Sequence, residues 1–216
     1  MFNVHKDFER HMLVWLTAAG WHAAIAAACD EHRTALTLWE SQDWPVVVRR
    51  LEADTTADEI CLGLPLPPHA ETGQKVRIGL RARIADIRKT APAVELRSAG
   101  AHFAALCDEA GALQLRVYGS LAMQTLTGLQ YVSPASDVDV LFHPASRDQL
   151  AAGVALLARH GECLPLDGEI VFPGGAAVSW KEWRMAMTHP AKVMVKELQT
   201  VRLADTASLL ATLEPA

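Results

Sequence analysis

Hydrophobic and polar positions alternate most regularly between Lys75 and Ile84. Val76, Ile78, Leu80, Ala82 and Ile84 fall on one side, with Lys75, Arg77, Arg81 and Arg83 on the other. A period of two is the mark of a half-buried strand. Two further strands are expected before it. Val46-Val47-Val48 is β-branched and follows Pro45. Ile60 to Leu64 runs into Leu64-Pro65-Leu66-Pro67-Pro68, whose prolines hold the chain extended and withhold ladder donors. The rest of the first part reads as irregular, and Arg88-Lys89-Thr90-Ala91-Pro92 reads as a linker. The expected division is therefore residues 1–90 and 91–216.

The second part is more regular. A helix is expected over 99–110, ended by Gly111, then a strand from Leu113 to Tyr118. Gly119-Ser120 opens a short helix that Gly128 can end in the left-handed conformation. Asp137 to Phe142 is a strand. Ser146 and Gln149 form a capping-box pair, and Leu150, Val154 and Leu157 stripe the helix that follows, up to His160-Gly161. Glu169–Phe172 and Ala177–Trp180 read as a hairpin about Pro173-Gly174-Gly175. A strand over 192–196 and a final helix capped by Asp205 and running to Leu213 complete the order. The fold class is α/β (α+β): a C-terminal domain on a small mixed sheet, preceded by a smaller mixed α/β domain.

Composition narrows the function. The 216 residues are half hydrophobic, enough for a substantial core, and the net charge is −5. An acidic chain disfavours bulk nucleic-acid binding, although local basic patches are compatible with it. No apolar stretch is long enough to cross a bilayer, and the N-terminus lacks the pattern of a secretory signal. Cys29, Cys61, Cys107 and Cys163 are widely spaced, so they are expected to be reduced and mostly buried in a cytoplasmic protein. The nine histidines show no H-x-x-x-H or H-E-x-x-H spacing, which argues against zinc chemistry.

The chemistry concentrates in Val117-Tyr118-Gly119-Ser120 and Ser136-Asp137-Val138-Asp139-Val140. Strand alternation puts Asp137 and Asp139 on one face. Two carboxylates so close repel each other unless a cation relieves them, and Mg²⁺ (or Mn²⁺) does so while keeping positions for substrate phosphates. Gly119 lets backbone approach a phosphate, and the amides opening the next helix, with the Ser120 hydroxyl, can hold it. Alone, an acidic pair is most often solvated, and a Gly-Ser is most often a turn. In the order strand, Gly-Ser, helix, strand, D-x-D, the two resemble the polymerase-β-like nucleotidyltransferase pattern, with a longer interval over 121–136 than is common. That resemblance implies a third carboxylate on a neighbouring strand. Asp167 and Glu169 are the candidates. Glu169 is preferred because it lies within a β-branched run, whereas Asp167-Gly168 also reads as a tight turn.

A narrower resemblance rests on the run from Tyr118 through Gly119-Ser120-Leu121-Ala122-Met123-Gln124-Thr125-Leu126-Thr127-Gly128 to Leu129, with Tyr131 and Ser136 to Leu141. Arg10 to Leu16, Pro45 to Arg50, Gly63 to Pro68 and Val178 to Trp183 extend it over most of the chain. Together these resemble the malonate decarboxylase holo-acyl-carrier-protein synthases, also called phosphoribosyl-dephospho-CoA transferases. The resemblance implies 2′-(5″-triphosphoribosyl)-3′-dephospho-CoA as donor and a serine of the decarboxylase's acyl-carrier subunit as acceptor, with pyrophosphate released. It implies catalytic and metal-binding roles for Asp137, Asp139 and Glu169. It also makes residues 1–90 a donor- or carrier-binding domain and 91–216 the nucleotidyltransferase domain.

Such a donor needs further cations. Gly119, Ser120, Arg49, Lys75, Arg77 and Lys181 are the candidate contacts, while Arg81 and Arg83 read as an ordinary solvated strand face. Lys196 could also reach a phosphate, and Arg10 and His11 enter only by resemblance. Trp180 and Trp183 read as core that can also line a cleft. Two rival readings stay open. One is another nucleotidyltransferase, either a citrate-lyase-type carrier synthase or an enzyme that uses ordinary nucleoside triphosphates. The other is a non-catalytic nucleotide- or carrier-binding module.

Overall fold

The structure is a computed structural model and describes residues 4–189 and 191–214. The chain divides into two compact units. One comprises residues 1–92 with 126–131, and the other residues 93–125 with 132–216.

The first unit is built on an antiparallel five-stranded sheet. Its strands are β1 (Leu13–Leu16), β2 (Val46–Val48), β3 (Glu59–Pro65), β4 (Arg77–Arg83) and β5 (Ile87–Ala91), in the order β4-β3-β2-β1-β5. The alternation read from sequence holds in β4, where Ile78, Leu80 and Ala82 are buried between more exposed arginines. Two helices, α1 (Ala18–Ala27) and α2 (Asp30–Ser41), occupy the stretch that reads as irregular. Alanine on nearly every face of α1 leaves no amphipathic stripe for periodicity to reveal. Thr17 caps it by accepting a hydrogen bond from the Gly20 amide at 3.1 Å. The expected linker over 88–92 is corrected as well. Most of it is β5, an edge strand paired with β1, in which Thr90 lies opposite Val14 and Lys89 opposite Trp15. An exposed edge strand carries no buried alternation, so composition alone reads it as linker. Residues 126–131 pack back on this unit through buried Tyr131, whose hydroxyl donates to the Pro65 carbonyl at 2.8 Å.

The second unit holds a seven-stranded mixed sheet, larger than the small sheet expected. In chain order its strands are β6 (Val94–Glu95), β7 (Leu115–Val117), β8 (Val138–Phe142), β9 (Leu166–Val171), β10 (Ala177–Ser179), β11 (Val193–Lys196) and β12 (Val201–Ala204), lying as β12-β11-β10-β9-β8-β7-β6. β8 and β9 run parallel, joined by the long helix α5 (Arg147–His160), and the other neighbours are antiparallel. The helices are α3 (Ala104–Ala110), α4 (Gly119–Thr127), α5 (Arg147–His160), α6 (Trp180–Thr188) and α7 (Thr206–Leu210). The protein is thus a mixed α/β chain with two sheets and seven helices among the described residues.

One sheet face carries the main core. Val138, Val140, Phe142, Leu166 and Ile170 pack there with Leu150, Leu156 and Leu157 of α5 and Trp180 and Trp183 of α6. Burying each large side chain of this kind contributes about 1.5–3 kcal/mol. Gly153 lets α5 approach closely, because a Cβ there would run into the Phe142 ring. The Ser146 cap forms as expected, with the Gln149 amide donating to its hydroxyl at 3.2 Å. Several boundaries differ from expectation, among them β7 (Leu115–Val117, not 113–118), β8 (from Val138, not Asp137) and β9 (Leu166–Val171, not 169–172). Gly100, at φ 150, separates two 3₁₀ turns ahead of α3, so the helix starts at Ala104 rather than Ala99. Trp180 opens α6 instead of ending β10. The last helix is only Thr206–Leu210, and Asp205 makes no side-chain cap bond. Of the cysteines, Cys61 is buried and Cys107 half-buried, whereas Cys29 and Cys163 are exposed, so the expectation of mostly buried thiols is corrected; all four are free.

Candidate active site

β7 delivers the chain to the site and β8 returns it. Val117 lies opposite Val140, and one residue on, the Tyr118 amide donates to the Asp139 carbonyl at 3.0 Å. That bond ties the Gly119-Ser120 turn to the acidic strand. Gly119 has φ +67, a left-handed conformation that L side chains rarely adopt. Its missing side chain matters twice, because a Cβ there would overlap the Asp139 carboxylate oxygen Oδ2. The acid therefore rests against the first residue of α4, where helix amides lack intrahelical partners and the helix dipole favours negative charge. Ser120 is the second residue of the same helix.

Asp139 is half-buried in β8, and Asp137 is exposed just before that strand. The parallel pair β8–β9 aligns Asp139 with Asp167 and Leu141 with Glu169. Gly168 makes this alignment possible. It has φ +125 and faces Val140, and a Cβ would drive into the Val140 backbone. The Gly168 amide also donates to Asp167 Oδ1 at 2.8 Å, which orients that carboxylate.

The two candidates for a third carboxylate have different surroundings. Glu169 is only 3% exposed and accepts a hydrogen bond from Lys196 Nζ at 2.9 Å. Asp167 is half-exposed, and Lys181 Nζ stands 3.6 Å from its Oδ1. Lys181 is the second residue of α6, which starts beside the site because Ser179 lies opposite Glu169. Asp167 was hard to read because Asp-Gly signals a turn. Here the glycine is inside the strand, and the available cue was the apolar pair Leu166 and Ile170 flanking it at strand period.

The remaining candidate cations lie in the first unit. Arg49 stretches over the cross-strand pair Gly63 and Gly79, donates to the Leu62 carbonyl at 3.1 Å and pairs with Glu52. Lys75 and Arg77 are exposed and form no ion pair among the described residues. Arg81 pairs with Glu52 and Asp54, and Arg83 with Asp86, so both are held by acids rather than simply solvated. Arg10 and His11 hydrogen-bond each other at 3.1 Å, and His11 has φ 73. Trp180 and Trp183 are core residues, 4% and 2% exposed.

Among the described residues, no three His, Cys, Asp or Glu side chains are gathered closely enough to hold a metal ion. The donor set is nevertheless of a suitable kind. Two facing carboxylates, a third acid at the strand start and a glycine that lets one of them touch a helix N-terminus offer only oxygen ligands. Mg²⁺ commonly binds through one or two carboxylates plus substrate phosphates. What the site offers by itself is the aligned pair Asp139 and Asp167, so substrate phosphates would have to complete such an ion's shell.

Comparison with known proteins adds the decisive observation. Residues 81–207 match the model of the phosphoribosyl-dephospho-CoA transferase MdcG C-terminal domain, and residues 9–93 match that of its N-terminal domain. The chain belongs to this family. It is 37% identical over 209 residues to a phosphoribosyl-dephospho-CoA transferase of Bradyrhizobium diazoefficiens, covering 91% of this chain and 89% of that protein. It is 38% identical over 215 residues to one of Xanthomonas euvesicatoria and 35% over 212 residues to one of Xanthomonas campestris, each time covering 93% of this chain and 95% of the relative. No solved structure matches significantly. Membership of the phosphoribosyl-dephospho-CoA transferase family makes the protein an enzyme, a transferase. No helix among its described residues is long and apolar enough to cross a membrane.

Proposed function

We propose that this transferase moves the 2′-(5″-phosphoribosyl)-3′-dephospho-CoA group from its triphosphate precursor to a serine of the acyl-carrier subunit of malonate decarboxylase, releasing pyrophosphate. We further propose that its second unit is a polymerase-β-like nucleotidyltransferase domain acting in the cytoplasm. The observation that carries this reading is the alignment of Asp139 with Asp167 beside the Gly119 turn at the start of α4.

Asp139 and Asp167 would hold Mg²⁺ or Mn²⁺ together with the donor's phosphates, with Asp137 as the exposed acid just before β8; Asp167 replaces Glu169 in this assignment because Glu169 is buried and bound to Lys196. The bound ion would supply charge neutralisation of the triphosphate and of the leaving pyrophosphate. The α4 amides and Ser120 bind the donor phosphates. Asp167 takes the proton of the acceptor hydroxyl as its oxygen attacks the phosphorus next to the ribose. The bond from that phosphorus to the departing pyrophosphate breaks in line. Positioning and charge compensation provide most of the rate, since phosphoryl-type transfer needs little covalent help. Lys181 contacts phosphate within the site, and Arg49, Lys75 and Arg77 are the candidate donor or carrier contacts of the first unit.

The test is intact mass of the apo-carrier after incubation with enzyme, Mg²⁺ and the triphosphoribosyl donor. The expected result is a gain of one phosphoribosyl-dephospho-CoA group. Transfer from ATP or CTP alone would instead support a nucleoside-triphosphate enzyme. Transfer to a citrate-lyase carrier but not to the malonate decarboxylase carrier would reassign the acceptor. Failure of every donor would leave a binding module.

A further inference from the structure

Two lysine–carboxylate pairs stand on the site face of the second unit, and they are built differently. Lys196 donates to Glu169 at 2.9 Å, and that carboxylate is 3% exposed, so the pair is locked by burial. Lys181 stands 3.6 Å from Asp167, beyond ordinary hydrogen-bond reach, with side chains 51% and 41% exposed. An exposed pair at this distance is weakly held. Lys181 also has another resting place, since its Nζ lies 5.8 Å from the centroid of the Trp180 ring. Asp167, by contrast, cannot easily turn away, because the Gly168 amide holds the same Oδ1 that faces Lys181.

Asp167 also lies opposite Asp139. Carboxylates on adjoining strands favour a nearby cation, and Lys181 stands 3.6 Å from one of them, Asp167. We propose that Lys181 is the resting counter-ion of the metal site: it occupies Asp167 in the metal-free enzyme, is displaced by the divalent cation, and then neutralises the donor's phosphates. This rests on the metal-dependent reading above and deepens it. No bond is made or broken; one ion pair exchanges for another. The placement follows from the sequence, because Lys181 is fixed at the second position of α6 and only its flexible stem needs to move.

Removing Lys181 should have two effects of opposite sign. A lysine that competes with metal weakens metal binding yet helps the reaction. Mn²⁺ affinity, measured on donor-free enzyme by the electron paramagnetic resonance of unbound Mn²⁺, should rise about three- to tenfold in Lys181→Met. The same variant should lose about tenfold or more in transfer, equivalent to about 1.4 kcal/mol of barrier. Lys196→Met should show no rise in Mn²⁺ affinity, and Lys181→Arg should keep the wild-type value to within about twofold. Unchanged or weakened Mn²⁺ binding in Lys181→Met overturns the counter-ion role while leaving the metal-dependent reading intact. Wild-type enzyme whose Mn²⁺ binding is absent, or is indifferent to Asp139→Asn, overturns both. Circular dichroism of each variant checks folding, which Lys181→Met should preserve because Lys181 is half-exposed, whereas Lys196→Met strips buried Glu169 of its partner and is compared under conditions where it is folded.

Discussion

Asp139 and Asp167 stand opposite each other on the parallel strands β8 and β9, with the glycine after Asp167 packed against Val140. Parallel register puts paired residues on the same face at the same height. Two acids from separate stretches of chain therefore meet at one point, and the neighbouring pair, Leu141 and Glu169, closes the face behind them.

Substitution should separate these acids by role. Asp139→Asn and Asp167→Asn should each lower transfer by on the order of 10²–10³-fold or more. Thermal unfolding should stay close to wild type, because neither side chain is fully buried. Glu169→Gln should do the reverse. It leaves Lys196 facing a neutral amide and should lower stability by about 1–2 kcal/mol, with a smaller loss of activity. Parallel assays of transfer and urea unfolding distinguish the two patterns, and an inactive but stable Glu169→Gln would restore Glu169 as the third catalytic carboxylate.

Gly119→Ala forces a side chain into the space of the Asp139 carboxylate at φ +67. The left-handed conformation alone costs about 1–2 kcal/mol, and the acid must move as well. We expect a folded protein with transfer reduced about 100-fold. Steady-state assay with a melting curve reads both quantities.

Gly168→Ala meets backbone rather than a movable side chain. A Cβ would enter the Val140 carbonyl, so β8 and β9 must separate. The strained φ contributes about 1–3 kcal/mol and the backbone collision adds to it. The variant should therefore be recovered largely unfolded or with a sharply reduced urea midpoint. Normal stability would mean the strand pair is looser than described.

Part of the acid sensitivity should come from paired carboxylates of the first unit. Hydrogen bonds from Arg81, then Arg49, hold Glu52 below its ordinary value of 4.5, and Arg81 likewise holds Asp54 below 3.8. A carboxylate depressed in the folded state contributes stability that is complete above its ordinary value and lost as pH falls through the folded one. Unfolding free energy from urea titrations should therefore decline below about pH 4.5. In Glu52→Gln that decline should be shallower; an identical slope would show that the pair with Arg81 contributes nothing in solution.

How far the sequence could be read follows from how each feature is encoded. β4 and α5 were legible because one buried face imposes a period on side chains. The Gly119-Ser120 turn and the strand that carries Asp139 were legible because their residues are contiguous, although Asp137 lies just before that strand rather than in it. α1 escaped because alanine packs on any face, and β5 because an edge strand with polar side chains resembles a linker. β12 was missed for the same reason, with Val201, Arg202 and Leu203 all exposed.

What the sequence determined by itself is local: which residues can turn, cap, alternate or carry charge, since those properties depend on neighbours a few positions away. The pairing of Asp139 with Asp167, and of Glu169 with Lys196, was decided only in three dimensions. Strand register is set by how the apolar faces of β8, β9 and α5 close on one core. That choice assigns one acid to a buried lysine bond and the other to the half-exposed place opposite Asp139.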